Sequence, residues 1–169
     1  MKINSLFTFI VLIFLLFSIA TPSGVPGQSR GQAVERRGWG YFFVGVGGTS
    51  ENSIAFINAG GGAEGLFYKG FGIGAEIGSI TPVNNGGGTI GLASVNVIGH
   101  FNRSGKVDPF VTGGASLAFR SGWAGGGNFG GGVHWWVKNR LGLRFEFRDH
   151  IFSTDAGHFY IFRMGVSFR

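Results

Sequence analysis

A chain of 169 residues with no cysteine has room for one domain and excludes a disulfide scaffold, thiolate metal sites and lipid attachment at an N-terminal cysteine. Its 34 glycines and 19 phenylalanines, interleaved with Val, Ile and Leu and lacking a three-residue period, exclude both collagen-like repeats and an apolar-poor disordered chain. The formal charge of +6 is dispersed, with Arg36-Arg37 the longest basic run, so it does not outline a nucleic-acid footprint.

Met1-Lys2 precedes an apolar run from Leu6 to Phe17, and Ser18-Ile19-Ala20 follows with small residues at the positions a signal peptidase inspects. A positive start, a short apolar core and small residues describe a secretory signal over 1–20, with cleavage alternatively as late as 27. The run is too short to span a bilayer as a helix. Residues 21–38 are rich in Gly, Pro, Ser, Gln and Arg and read as an unstructured lead-in.

From 39 to 169 the period is two, the signature of strands with unlike faces. Phe42, Val44 and Val46 alternate with Gly45 and Gly47. Ala63, Gly65 and Phe67 oppose Glu64 and Leu66, and Phe71, Ile73, Ala75 and Ile77 oppose Gly72, Gly74, Glu76 and Gly78. Over 90–100 the faces are less distinct, with Val95 and Val97 set against Ser94 and Asn96. Val111 to Phe119 and Phe129 to Val137 alternate in the same way, the latter placing His134 on the small-residue face. Leu141, Leu143, Phe145 and Phe147 oppose Arg144, Glu146 and Arg148; Tyr160, Phe162, Met164, Val166 and Phe168 oppose Arg163. This amounts to eight strands.

One face is bulky and apolar, the other small and polar with a few charges. Eight strands enclose little volume, so small residues suit the inside and the bulky face suits lipid. Alternate joints are short and polar (68–70, 102–108, 138–140), whereas 49–61, 81–88, 120–127 and 150–157 are expected to be longer outer loops. Short turns on the periplasmic rim and longer loops on the other fit such a barrel. Trp39, Trp135, Trp136 and Phe168 fall near the short-turn rim and are expected to form an aromatic girdle there. Lys69, Arg103, Lys106, Lys138, Arg140 and Arg169 place basic charge on the same rim, within reach of anionic headgroups.

The signal peptide, the eight amphipathic strands and the terminal Tyr160-Ile-Phe-Arg-Met-Gly-Val-Ser-Phe168 resemble the small OmpA/OmpX-like outer-membrane barrels. The resemblance implies an all-β, eight-stranded antiparallel transmembrane barrel in a bacterial outer membrane. It also implies lipid contacts and a C-terminal strand read by barrel-assembly machinery; that family's signal usually ends on the aromatic residue, whereas here Arg169 follows. A monomer is expected, with no nucleic-acid partner.

Inside, Glu64, Glu76 and Glu146 stand against Arg144, Arg148 and Arg163, a balanced set expected to pair as a lumen plug. A conducting gate built on the same groups is the sharper alternative. His134 has no second histidine at ligand spacing, so no metal is expected, nor any cofactor. His150, Ser153, Asp155 and His158 supply in one loop the residue types of a lipid-modifying outer-membrane enzyme, a hydrolase or acyltransferase, which stays as a further alternative; triads are defined by geometry, and no catalytic residue is assigned. Reversing the faces leaves the period unchanged, which keeps a soluble lipocalin-like barrel holding an apolar ligand as a second architecture.

Overall fold

The computed structural model describes residues 37–50, 54–83, 87–152 and 157–169. The expected signal peptide and all but the end of the lead-in lie outside them. The described residues form eight strands: β1 (Gly38–Thr49), β2 (Ala55–Tyr68), β3 (Phe71–Pro82), β4 (Ile90–His100), β5 (Val107–Phe119), β6 (Trp123–Lys138), β7 (Leu141–Phe152) and β8 (His158–Phe168). Each pairs antiparallel with the next, and β1 closes on β8 from Gly40↔Phe168 to Thr49↔Phe159. Closure leaves no sheet edge with unpaired backbone groups, the requirement for strands in hydrocarbon.

The alternation becomes two faces. On β7 and β8, Phe145, Phe147, Phe162 and Met164 are exposed while Arg144, Glu146, Arg148 and Arg163 are buried. Phe42, Val44, Val46, Ile73, Ile77, Val95, Val97 and Val111 continue the outward apolar belt. The ambiguous strand β4 keeps the same parity, with Ser94 and Asn96 inside.

At the short-turn rim, β2 and β3 are joined by Lys69-Gly70, both at positive φ (40° and 97°), as a two-residue type I′ hairpin requires. A side chain on Gly70 would also run into the carbonyl of His100. Register shifts between Leu66 and Tyr68 and between Trp136 and Lys138 accompany the two tightest turns.

The other rim departs from expectation. Strands extend well into segments expected to be loops: β2 includes Gly60–Gly62, β6 includes Gly125–Gly127, and β7 carries His150. The joints on that rim shrink to 50–54, 83–89, 120–122 and 153–157, so the third is shorter than the 101–106 turn opposite. Glycine usually punctuates loops, but here Gly60 and Gly62 serve packing. A Cβ on either would come within 2.8 Å of the Phe43 ring or 2.9 Å of the Tyr41 ring.

Candidate functional site: the barrel interior

The interior is layered. Next to the short turns, Trp39, Tyr41, Phe43, Leu66 and Trp136 form one apolar cluster. Toward the other rim, Phe56, Ile80, Leu92, Phe152 and Ile161 form a second. Between them lie ions.

All six charged residues expected in the lumen are buried and meet in one network. Arg144 donates to Glu64 (2.6 Å) and Glu146 (2.9 Å). Arg163 donates to Glu76 (3.0 Å) and Glu146 (2.8 Å). Arg148 donates to Glu146 through two nitrogens and to Glu76 at 3.2 Å. Each carboxylate thus meets at least one guanidinium, and Glu146 meets all three. Removing an ion from water costs several kcal/mol after relaxation, so these groups persist inside only because each is paired and hydrogen-bonded.

The aromatic neighbours contribute as well. Tyr41 donates its hydroxyl to Glu76 (2.6 Å) and Trp39 its indole N–H to Glu64 (2.5 Å). The Arg144 guanidinium lies 4.3 Å from the Tyr41 ring centre and 4.2 Å from that of Phe110; Arg163 lies 4.3 Å from Phe43. These contacts favour a desolvated guanidinium.

Two of the four expected girdle residues belong here instead. Trp135 and Phe168 face outward, but Trp39 and Trp136 are 4% and 3% exposed and cap the interior. The reason is parity. Trp39 is odd on a strand whose outward residues are Phe42, Val44 and Val46, and Trp136 follows outward-facing Trp135. Position along the barrel axis suggested an interface; position on the strand decides which side of the wall the ring occupies.

Several interior residues were not anticipated. His100 ends β4 and hydrogen-bonds Asp108 at the start of β5 (2.9 Å), so the expected 102–108 turn gives up Val107 and Asp108 to the strand. His134 is inward as expected, but His100 stacks on it with ring centres 5.6 Å apart. Glu64 lies 3.8 Å from each of the two imidazoles. His150 hydrogen-bonds Ser116 (2.9 Å), which also bonds Ser94 and Asn128. His158 bonds Asp149 (2.7 Å). The loop set of hydrolase residue types is therefore divided: His150 points into the barrel and His158 opens β8, while Ser153 and Asp155 lie outside the described residues.

A closed antiparallel barrel with an apolar exterior and charges sequestered inside is a transmembrane β-barrel of the small eight-stranded class. The sequence matches no protein-family model and no curated protein. Among solved structures, the chain is similar to Neisserial surface protein A (NspA), with TM-score 0.65 and 13% identity, covering 78% of this chain and 95% of that one. It is also similar to Ail, the attachment invasion locus protein of Yersinia pestis (TM-score 0.59, 10% identity, 80% and 99% covered). The N-terminal β-barrel domain of Pseudomonas aeruginosa OprF follows with TM-score 0.57 and 16% identity over 76% and 96% of the two chains. At these identities the likeness is one of fold.

Proposed function

We propose that the chain is an integral protein of a bacterial outer membrane whose barrel is a sealed structural platform with a surface role, rather than a pore or an enzyme. The observation that carries this reading is the outward apolar belt. Phe147, Phe162 and Met164 are each about half exposed, while Arg148 and Arg163 on the same two strands are at most 2% exposed. In water that arrangement strands the apolar face in solvent; in a bilayer both faces are satisfied.

Sealing is supported by the layers inside, since a conduction path would have to cross two apolar clusters and the ionic layer between them. A lipocalin-like role is disfavoured by the same layer, which offers an apolar ligand buried charges in place of an apolar cavity. Exposed Lys69, Lys106, Lys138 and Arg140 lie on the short-turn rim, where anionic lipid headgroups are the natural counter-charge. The C-terminal strand, with Tyr160, Phe162, Met164, Val166 and Phe168 outward, suits recognition by the barrel-assembly machinery. Because β1 and β8 pair with each other, the described strands leave no open edge for another chain to extend, which supports a monomer.

The similar proteins include a surface protein and an attachment invasion locus protein, and a surface-exposed role for this chain follows that pattern. The test is membrane extraction followed by electrophoresis with and without boiling, paired with conductance in a planar bilayer. A band that shifts on boiling, with no discrete channel openings, is expected. Recovery in the soluble fraction would overturn the membrane reading, and regular channel steps would overturn the seal.

A further inference from the structure

We propose that Glu64, His100 and His134 form a zinc site at the short-turn end of the barrel interior. The three residues come from β2, β4 and β6, which are not neighbours in the wall, so a bound ion would tie strands together across the lumen. One donor atom from each lies within 4.8 Å of one from each of the others, and all three residues are at most 5% exposed.

Two buried donor atoms in the cluster are free to ligate. Glu64 Oε2 and His100 Nε2 are buried without a hydrogen bond and face each other, while the unbonded atom of His134 is Nδ1, not the Nε2 that faces Glu64. Leaving such groups unpaired is costly, and most buried polar atoms find a partner. Glu64 Oε2 and His100 Nε2 are 3.8 Å apart, too far to bond each other. Zinc held at about 2.0–2.2 Å from each donor sets tetrahedral ligands roughly 3.4 Å apart, so closing this gap needs only a small shift.

The surroundings are those of a metal ligand set. His100 hands its other ring nitrogen to Asp108 at 2.9 Å, the carboxylate–histidine arrangement that orients a metal-binding imidazole. Glu64 is held through its other oxygen by Trp39 and Arg144. His134 turns Nε2 toward Glu64 Oε1 at 3.8 Å, and that nitrogen also meets Arg144 Nη1 (3.1 Å) and Ser167 (3.2 Å). Ligation through Nε2 would release those two contacts. Arg144 would keep both carboxylates, and its guanidinium is an unfavourable charge beside the ion.

Carboxylates outnumber guanidiniums in the interior, and histidines meet the others. Five buried carboxylates, Glu64, Glu76, Asp108, Glu146 and Asp149, face three buried guanidiniums. Asp149 is met by His158 at the rim. Asp108 is likewise met by His100, and Glu64 shares Arg144 with Glu146. Two histidines and one carboxylate leave a fourth zinc position for water; the Trp39 and Trp136 rings lie 5.3 and 5.6 Å from His134 and screen the cluster.

The test uses the full chain, without an affinity tag of histidines, extracted from membranes in detergent, stripped by chelator and dialysed against zinc. Elemental analysis should find one zinc per folded barrel, and cobalt substitution should give tetrahedral ligand-field bands. His100→Ala and Glu64→Gln should each weaken binding more than tenfold. His150→Ala, which removes a buried histidine at the other end, should bind as the parent does. Boiling-dependent gel mobility identifies the folded fraction of each variant. Should a variant not fold, the parent chain decides: a folded barrel holding less than a tenth of an equivalent of zinc overturns the site. Equal zinc loading of folded His100→Ala and parent overturns it too.

Discussion

Glu146 on β7 and Arg163 on β8 are direct cross-strand partners whose side chains meet at 2.8 Å inside the barrel wall. The pair is therefore at once a rung of the sheet and the centre of the ionic layer. Opposite charges facing each other stabilise a ladder modestly when exposed; buried, their main effect is the penalty for separating them.

Glu146→Ala takes a partner from all three guanidiniums, leaving Arg144 only Glu64 and leaving Arg148 and Arg163 to share Glu76, whereas Arg163→Ala leaves Arg148 on Glu76 and both Arg144 and Arg148 on Glu146. Both should destabilise the barrel by about 3–5 kcal/mol, with Glu146→Ala the larger loss. Denaturant unfolding from lipid vesicles measures this. Planar-bilayer recordings of the folded variants should show no new channel activity; discrete openings in either would revive the gate reading of these residues.

Trp39 and Trp135 sit near the same rim on opposite sides of the wall, 4% and 50% exposed. Trp39→Phe removes the indole donor that Glu64 accepts and should cost about 1–3 kcal/mol. Trp135→Phe should change stability by less than roughly 0.5 kcal/mol. Brominated lipids should quench the emission lost in the Trp135 variant and leave that lost in the Trp39 variant unquenched. Equal quenching of both would put Trp39 back at the interface.

How much of this was legible beforehand divides along the strands. Period two is a local property, so the eight strands, their outward faces and the six lumen charges could be read from residues such as Leu141 to Arg148 alone. The same parity rule applied to Trp39, Trp136 and His100 would have set them inside, but residue type drew the tryptophans to the membrane interface. The Glu64–His100–His134 cluster was not legible, because it is assembled from three strands by barrel closure and register, which no single segment encodes. Strand ends were obscured by glycine, whose packing role at Gly60 and Gly62 looks like loop chemistry in one dimension.

Those glycines can be tested against one with no such duty. A Cβ at Gly62 would lie 2.6 Å from the Ala75 carbonyl and 2.9 Å from the Tyr41 ring, while at Gly65 it would meet nothing within 4 Å. Gly62→Ala should destabilise by about 1–3 kcal/mol through overpacking. Gly65→Ala should be neutral or stabilising by up to roughly 1 kcal/mol, because it restricts the unfolded chain. Equal effects in thermal unfolding would mean that Gly62 does not make room for Tyr41.

The orientation of the faces meets its sharpest test at Val95. This residue lies midway along β4, paired with Ala75 on one side and Ala115 on the other, and it is 61% exposed on the outer face. If lipid surrounds it, Val95→Arg places a charge in hydrocarbon and should cost about 2–4 kcal/mol near the midplane, less toward either rim. If water surrounds it, the same change adds a charge to a solvated strand and should shift stability by at most roughly 0.5 kcal/mol. Its neighbour Asn96 points inward and is buried, so Asn96→Ala serves as a lumen control whose effect does not depend on bilayer thickness. Folding the parent and both variants into bilayers of increasing thickness separates the cases. The Val95→Arg penalty should grow with thickness, because a thicker bilayer leaves the arginine farther from the headgroups it must reach. A penalty that is absent in every bilayer would mean that the outer face of β4 does not contact lipid.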